Sequence, residues 1–343
     1  MTVATSAFNR LRIPSTRWRA PIGFAVALIL SYVVIAIGAG AQAQEQFINA
    51  LTIGALYALI ALGYTMVYGI IELINFAHGE IFMCGSFVAW WLITTMGFTS
   101  TITDLPVLIL VLVVVFLISM VVMGGVGVVI ERFAYRRLRN APRLAPLITA
   151  IGVSFILQNL VFVGISNSIV TVPQLIPFTL LGLGPLEIRE INLFVIVLAI
   201  ALMIALQLFI TRTRLGTAMR STAMDREAAQ LMGVNINSTI AITFFIGSAL
   251  AGAAGVVQTQ YLGTTNFQLG FQAGLKAFTA AVLGGIGNTT GAAVGGFVIG
   301  FLEVISSVYG YGRWSEAVVF GTLVLVLIFR PNGILGQQLA DRA

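Results

Sequence analysis

Residues Asn49–Ser86 read NALTIGALYALIALGYTMVYGIIELINFAHGEIFMCGS. A long apolar run is followed by a short polar island, INFAHGE (Ile74–Glu80), and a second apolar run begins at once. About 20 consecutive apolar residues is the length a helix needs to cross the hydrocarbon core of a bilayer. Membrane barrels would instead show short stretches of strict alternation, which are absent here. The island holds the only histidine of the chain, with Asn75, Phe76 and Glu80 beside it. Non-helical backbone at membrane depth is tolerated only where it is buried in protein or lines water. The island is placed at the turn between two spans, where Asn75, Phe76, His78 and Glu80 have two open roles: support for a broken helix, or lining of the inner mouth of a pathway.

The rest of the chain extends that pattern. Of 343 residues, 59% are hydrophobic and 9% charged, against about a quarter charged in soluble domains. Mean hydropathy is +1.02. The 36 glycines suit helices that approach closely in lipid. The fold class expected is all-α: a polytopic transmembrane bundle. Apolar spans are predicted near 22–40, 47–70, 81–98, 105–130, 145–167, 191–211, 238–262, 270–287, 289–309 and 315–329. The 270–287 span is the weakest, being short and carrying Lys276.

Residues 1–44 form a leader with Arg10, Arg12, Arg17 and Arg19 ahead of an apolar run, then Ala41-Gln42-Ala43. Basic start, apolar middle and small-residue end describe a signal peptide; an uncleaved first span is the other open reading. The spans number ten with the leader and nine without.

Arginines mark the sidedness. One basic loop holds Arg132, Arg136, Arg137, Arg139 and Arg143, and another holds Arg212, Arg214, Arg220 and Arg226. With the leader and tail they carry fifteen of the eighteen Lys and Arg. Such loops belong in the cytoplasm, so the net charge of +6 reflects topology rather than nucleic-acid binding. The parity closes, with a cytoplasmic C-terminus, only if 270–287 crosses. Residues 168–190 then form the largest external connection. No tandem repeat is visible.

Within the second basic loop, Thr222 and Asp225 make a capping pattern, and Met224, Ala228, Leu231 and Met232 recur on one helical face. Gly233 is a natural stop. A short amphipathic helix over 222–232 is expected. It either rests on lipid or docks into a groove of a cytoplasmic partner.

Charges inside spans are costly, about 2.5–3.5 kcal/mol each at the bilayer centre. Lys276 and Glu303 would each lie roughly 15–22 Å above the inner turn, at ~1.5 Å per residue. They pair across a hairpin, or Lys276 snorkels outward. Gly287, Gly291, Gly295 and Gly300, with Gly296 beside them, form a small-residue stripe that packs helices or serves as a close-packed hinge.

Several chemistries lack their residues. Cys84 is the single cysteine, so no intrachain disulfide forms and a zinc site has too few ligands. No phosphate loop with its lysine, no H-E-x-x-H and no G-x-S-x-G occurs, so no catalytic residues are expected and ATP is not bound by this chain.

Glu227-Ala228-Ala229 followed by Gly233 resembles the E-A-A-x-x-x-G loop of bacterial ABC importer permeases, although the Ile-x-Leu-Pro ending of that pattern is missing. The 49–86 block, GLKAFTAAVLGGIGNTTGAAVGGFVIGFLE at 274–303 and RPNGILG at 330–336 resemble LivH-type permeases of branched-chain amino acid transporters. The resemblance covers about 45–336, leaving 337–343 as a cytoplasmic tail.

The resemblance implies a permease domain in the bacterial inner membrane that does no covalent chemistry. It implies a homologous second permease, two cytoplasmic ATPases carrying ATP and Mg, and an extracytoplasmic substrate-binding protein as partners. Asp225, Arg226, Glu227, Ala228, Ala229, Leu231 and Gly233 would form the coupling helix. Urea or short amides are the alternative substrates within this group. A stand-alone secondary transporter is the more distant alternative, and it would have no ATPase to dock.

Overall fold

The computed structural model describes residues 16–139, 141–142, 144–177, 179–183 and 186–336. The expectations for residues 1–15 with Arg10 and Arg12, for Arg143 and for the tail at 337–343 lie outside the described residues, as do the side chains of Arg17 and Arg19.

Among the described residues, ten long helices stand where the ten apolar runs were expected. They are α1 (Thr16–Ala39), α2 (Ala43–Ile71), α3 (His78–Thr95), α4 (Leu105–Ile130), α5 (Leu144–Gly164) and α6 (Glu190–Arg212). Two short helices follow, α7 (Arg214–Met224) and α8 (Arg226–Leu231). Then come α9 (Ile236–Leu262), α10 (Leu269–Gly284), α11 (Thr289–Val308) and α12 (Ser315–Phe329). The sheet content is small: β1 (Val170–Thr171) pairs antiparallel with β4 (Thr264–Thr265), and β2 (Leu180–Leu183) with β3 (Leu186–Arg189).

Seven stretches among the described residues are long and apolar enough to cross a membrane. The difference from ten has physical causes. Val26–Ile71 counts once, as a 46-residue stretch, although it folds back. The rings of Tyr32 and Phe47 are 5.3 Å apart, whereas a straight helix would separate them by about 22 Å. The reversal lies at Gly40, whose φ of +55° is cheap only for glycine. The other two that fall short are α3 and α10. The first carries His78 and Glu80 in 18 residues, and the second carries Lys276 in 16.

Helices α2 and α9 are apolar all round and buried through most of their length, as a helix enclosed by others should be. Helix α11 runs antiparallel to α2: Gly69 approaches Gly287, while Gly54 approaches Phe297. Helix α9 packs against α3 through Gly85 and Gly252, and against α4 through Met123 and Gly252. Helices α4, α5, α6 and α12 expose large apolar side chains such as Leu110, Leu160, Ile204 and Phe329, suited to lipid or to another membrane helix.

The two ends differ. At one end Arg139 meets Asn237, Arg226 meets the C-terminus of α2, and the Ile334 and Leu335 amides bond to Leu283 and Gly284. Both basic loops and the 330–336 segment thus share an end, as the arginine pattern requires. At the other end Arg189 pairs with Glu45 at 2.5 Å, and Tyr309, Tyr311 and Trp314 are exposed, like an interfacial aromatic belt. The 168–190 connection is anchored there: Leu175 is buried, and its amide bonds to Gln260 Oε1 at 2.8 Å.

Candidate functional site

The docking segment is two helices rather than one. Asp225 has extended backbone (φ −156°, ψ 115°), and its Oδ1 accepts from the Ala228 amide at 3.0 Å. Asp225, not Thr222, is therefore the N-cap of α8. The Thr222 hydroxyl instead donates to the Ala218 carbonyl inside α7, which is itself capped by Thr213. An aspartate carboxylate competes with the helical backbone for nearby amides, so it favours a cap and breaks the helix expected over 222–232. Gly233 ends α8 with φ +86°, as read from sequence. Ala229 faces inward, whereas Met224, Leu231 and Met232 are 77%, 88% and 85% exposed. Glu227 and Ala228 are exposed as well.

Arg226 points back into the bundle. Its Nη2 donates to the carbonyls of Ile70 at 3.2 Å and Ile71 at 2.8 Å. These are among the last carbonyls of α2, which lack helical partners and carry partial negative charge. The next residue, Glu72, caps α2 with φ +60°.

Beyond Glu72 the chain does not turn at the bundle's end, as the sequence suggested; it re-enters the bundle. The His78 ring reaches Gly63, eight residues and so about 12 Å before α2 ends. Gly79 lies against Gly270 and Gly274 of α10. Helix α3 thus starts inside the protein, and Asn75, His78 and Glu80 are buried. Burial is the condition under which broken backbone is tolerated at this depth.

Some of the polar groups there have a defined partner. Asn75 Oδ1 accepts from the Ala77 amide at 3.2 Å and from the Tyr135 hydroxyl at 3.0 Å. Phe76 packs on Phe278 with ring centroids 5.7 Å apart, and His78 meets Tyr64 edge-on at 4.6 Å. Glu80 Oε1 accepts from the Ser154 hydroxyl at 3.2 Å, while Oε2 lies against Gly270 without a protein partner.

The same turn occurs twice. Asn75-Phe76-Ala77-His78-Gly79 precedes α3, and Asn266-Phe267-Gln268-Leu269-Gly270 precedes α10. In each, the Asn side chain accepts from the amide two residues on, and the Asn carbonyl accepts from the amide three residues on. The closing glycines, Gly79 and Gly270, touch each other. The N-F-x-x-G repetition was legible in the sequence but too short to mark a repeat without the geometry.

Sequence reading also passed over Glu131. This carboxylate is fully buried and takes Arg136 at 2.7 Å and Arg139. Arg139 also donates to Asn237 at 2.6 Å. The π-helical turn Glu131–Tyr135 brings these partners together at spacings that ordinary helical periodicity does not pair. Burial draws the Arg139 guanidinium below its ordinary value, and Glu131 opposes that shift. Between this cluster, the end of α2 and the docking segment lies a cavity of about 490 Å³, lined by Glu72, Leu138, Arg139, Asp225, Arg226 and Glu227 among others.

The structure places Lys276 and Glu303 in an ion pair, Nζ to Oε1 at 2.9 Å. The Tyr57 hydroxyl donates to Glu303 Oε2 at 2.8 Å, and the Lys276 ammonium lies 5.9 Å from the Tyr57 ring centroid. Snorkelling is not the geometry adopted. The glycine stripe divides in two. Gly291 and Gly295 press on α10, and Gly296 and Gly300 press on α2. Gly287 is not part of the stripe, because it sits in the turn before α11 with φ +90°. No group of three His, Cys, Asp or Glu among the described residues could hold a metal ion.

A multi-pass bundle with two short helices starting inside it, and an exposed apolar loop at its basic end, has the form of a membrane transport permease. The chain belongs to the family described as branched-chain amino acid transport system / permease component, which matches residues 46–327. It is 44% identical over 302 residues to the high-affinity branched-chain amino acid transport system permease protein BraD of Pseudomonas aeruginosa, covering 87% of this chain and 97% of that one. It is 42% identical over 303 residues to the permease protein LivH of Escherichia coli K12, with the same coverage. A probable LivH of Methanocaldococcus jannaschii is 28% identical, covering 82% and 89%. No solved structure matches the chain.

Proposed function

We propose that this permease carries branched-chain amino acids into the cytoplasm as one membrane subunit of an ATP-driven importer. Its partners are a homologous second permease, two cytoplasmic ATPases that hold ATP and Mg, and an extracytoplasmic substrate-binding protein. It sits in the bacterial inner membrane with its C-terminus in the cytoplasm, and it catalyses no covalent step. The relatives named above support the substrate class. The observation that carries the partner reading is the docking segment, which presents Met224, Leu231 and Met232 to solvent at the end where the arginines gather. Exposed apolar side chains with Asp225 and Glu227 nearby in the chain suit a groove on a cytoplasmic protein.

On this reading, nucleotide binding closes the ATPases and displaces α8. The bundle then shifts between inward-open and outward-open populations, driven by the ATPases' different affinity for each. Selectivity rests mostly with the binding protein, so the permease needs only a weakly polar path for a leucine-sized zwitterion. The test is affinity capture of the tagged chain, native or Glu227→Arg, from its own membranes. An ATPase captured by the native chain and lost from the variant supports the proposal. A folded native chain that captures none argues against it.

A further inference from the structure

Arg226 lies in the segment that the resemblance assigns to coupling, but its side chain does not face the partner side. On α8 it stands beside the exposed residues offered to a partner, yet its guanidinium turns away from them. It donates to the Ile70 and Ile71 carbonyls at 3.2 and 2.8 Å. Those carbonyls end α2, and from that point the chain runs through left-handed Glu72 to the buried Asn75, His78 and Glu80. The far side of the same segment is held by Tyr135 through Asn75. Tyr135 lies on the turn that carries Glu131, whose partner Arg139 is tied to Asn237 at the start of α9. Arg226 thus joins the docking segment to the start of the broken segment, across the rim of a cavity of about 490 Å³.

We infer that Arg226 is the positioning residue that passes movement of the docking segment to the re-entrant turn at 72–80. The inference rests on the importer reading above. A guanidinium suits the task because its planar fork holds donors in fixed directions, and a cation is favoured at a helix C-terminus. If α8 moves with its partner, the end of α2 and the polypeptide leading to Gly79 move with it. Gly79 touches Gly270, so the start of α10 meets the same displacement. Space for the motion is present: the cavity adjoins Ile70, Ile71, Glu72 and Leu73 on one side and Thr222 to Glu227 on the other.

The test uses the whole complex, purified through this chain and reconstituted in proteoliposomes, with leucine uptake and ATP hydrolysis measured together. In Arg226→Gln, uptake per ATP hydrolysed is expected to fall about tenfold whatever the level of hydrolysis, the factor that ~1.4 kcal/mol of lost charge-assisted bonding produces. Arg226→Lys, whose ammonium still reaches a carbonyl, is expected to recover part of the ratio. A Gln variant with unchanged uptake per ATP would overturn the inference, as would one that loses both activities in proportion. Should the Gln variant fail to assemble, Arg226→Lys decides alone: a lowered ratio supports the role and an unchanged ratio overturns it. Absence of ATP-dependent uptake by the unmodified complex would overturn the importer reading itself, and this inference with it.

Discussion

Replacing Lys276 by Met removes one half of the ion pair inside the bundle and leaves Glu303 with Tyr57 alone. At 2.9 Å the gross attraction is about 6 kcal/mol at an effective dielectric near 20. Most of that repays desolvation, so the net value of the pair is small. The cost of breaking it is not small, because one charge stays buried. Removal of one partner of a buried pair costs ~3–5 kcal/mol. The side chains are 12% and 22% exposed, and the Tyr57 bond survives, so the lower part of that range is expected. Lys276→Met combined with Glu303→Gln removes both charges and should restore most of the loss. The assay is the apparent melting temperature of each detergent-purified variant, followed by size-exclusion profile after heating. Additive losses, with the double variant less stable than either single one, would refute the reasoning.

Glu131→Gln strips the buried carboxylate from Arg136 and Arg139 and should cost about 3–5 kcal/mol, whereas Arg136→Gln, at a partly exposed partner, should cost far less; thermal unfolding of the two variants checks the order. Gly295→Leu drives a side chain into the Ala280 carbonyl and should lower folded yield by the ~1–3 kcal/mol or more of an overpacked core, while Gly321→Ala, with nothing within 4 Å of the new atom, should be neutral. Leu231→Asp changes a residue that is 88% exposed, so it should leave the melting temperature unchanged while abolishing ATPase capture; loss of both would mean that Leu231 packs within this chain.

The positions of the long helices were legible because lipid imposes a simple demand: about 20 apolar residues per crossing. That both basic loops gather at one end was legible because arginines segregate. The cap at Asp225 was missed because Thr222 three residues earlier offers an equally good pattern, and only backbone geometry separates the two. The re-entrant segment was missed for a different reason. INFAHGE reads the same whether it turns at a surface or climbs inward, since its depth is fixed by Gly63, Gly270 and Gly274 from helices distant in sequence. Glu131 escaped because its partners depend on a π-turn that periodicity does not anticipate. Lys276 and Glu303 were recognised as unusual, but their pairing depends on how α10 and α11 pack, and Tyr57 as a third member had no signal of its own.

The most direct test of the account is uptake of radiolabelled leucine by proteoliposomes that contain the complex captured through this chain, loaded with the binding protein outside and ATP inside. The account predicts accumulation that requires ATP and is suppressed by excess isoleucine and valine but not by urea. Uptake driven by an ion gradient without ATP, or suppression by urea with no effect of isoleucine, would contradict it.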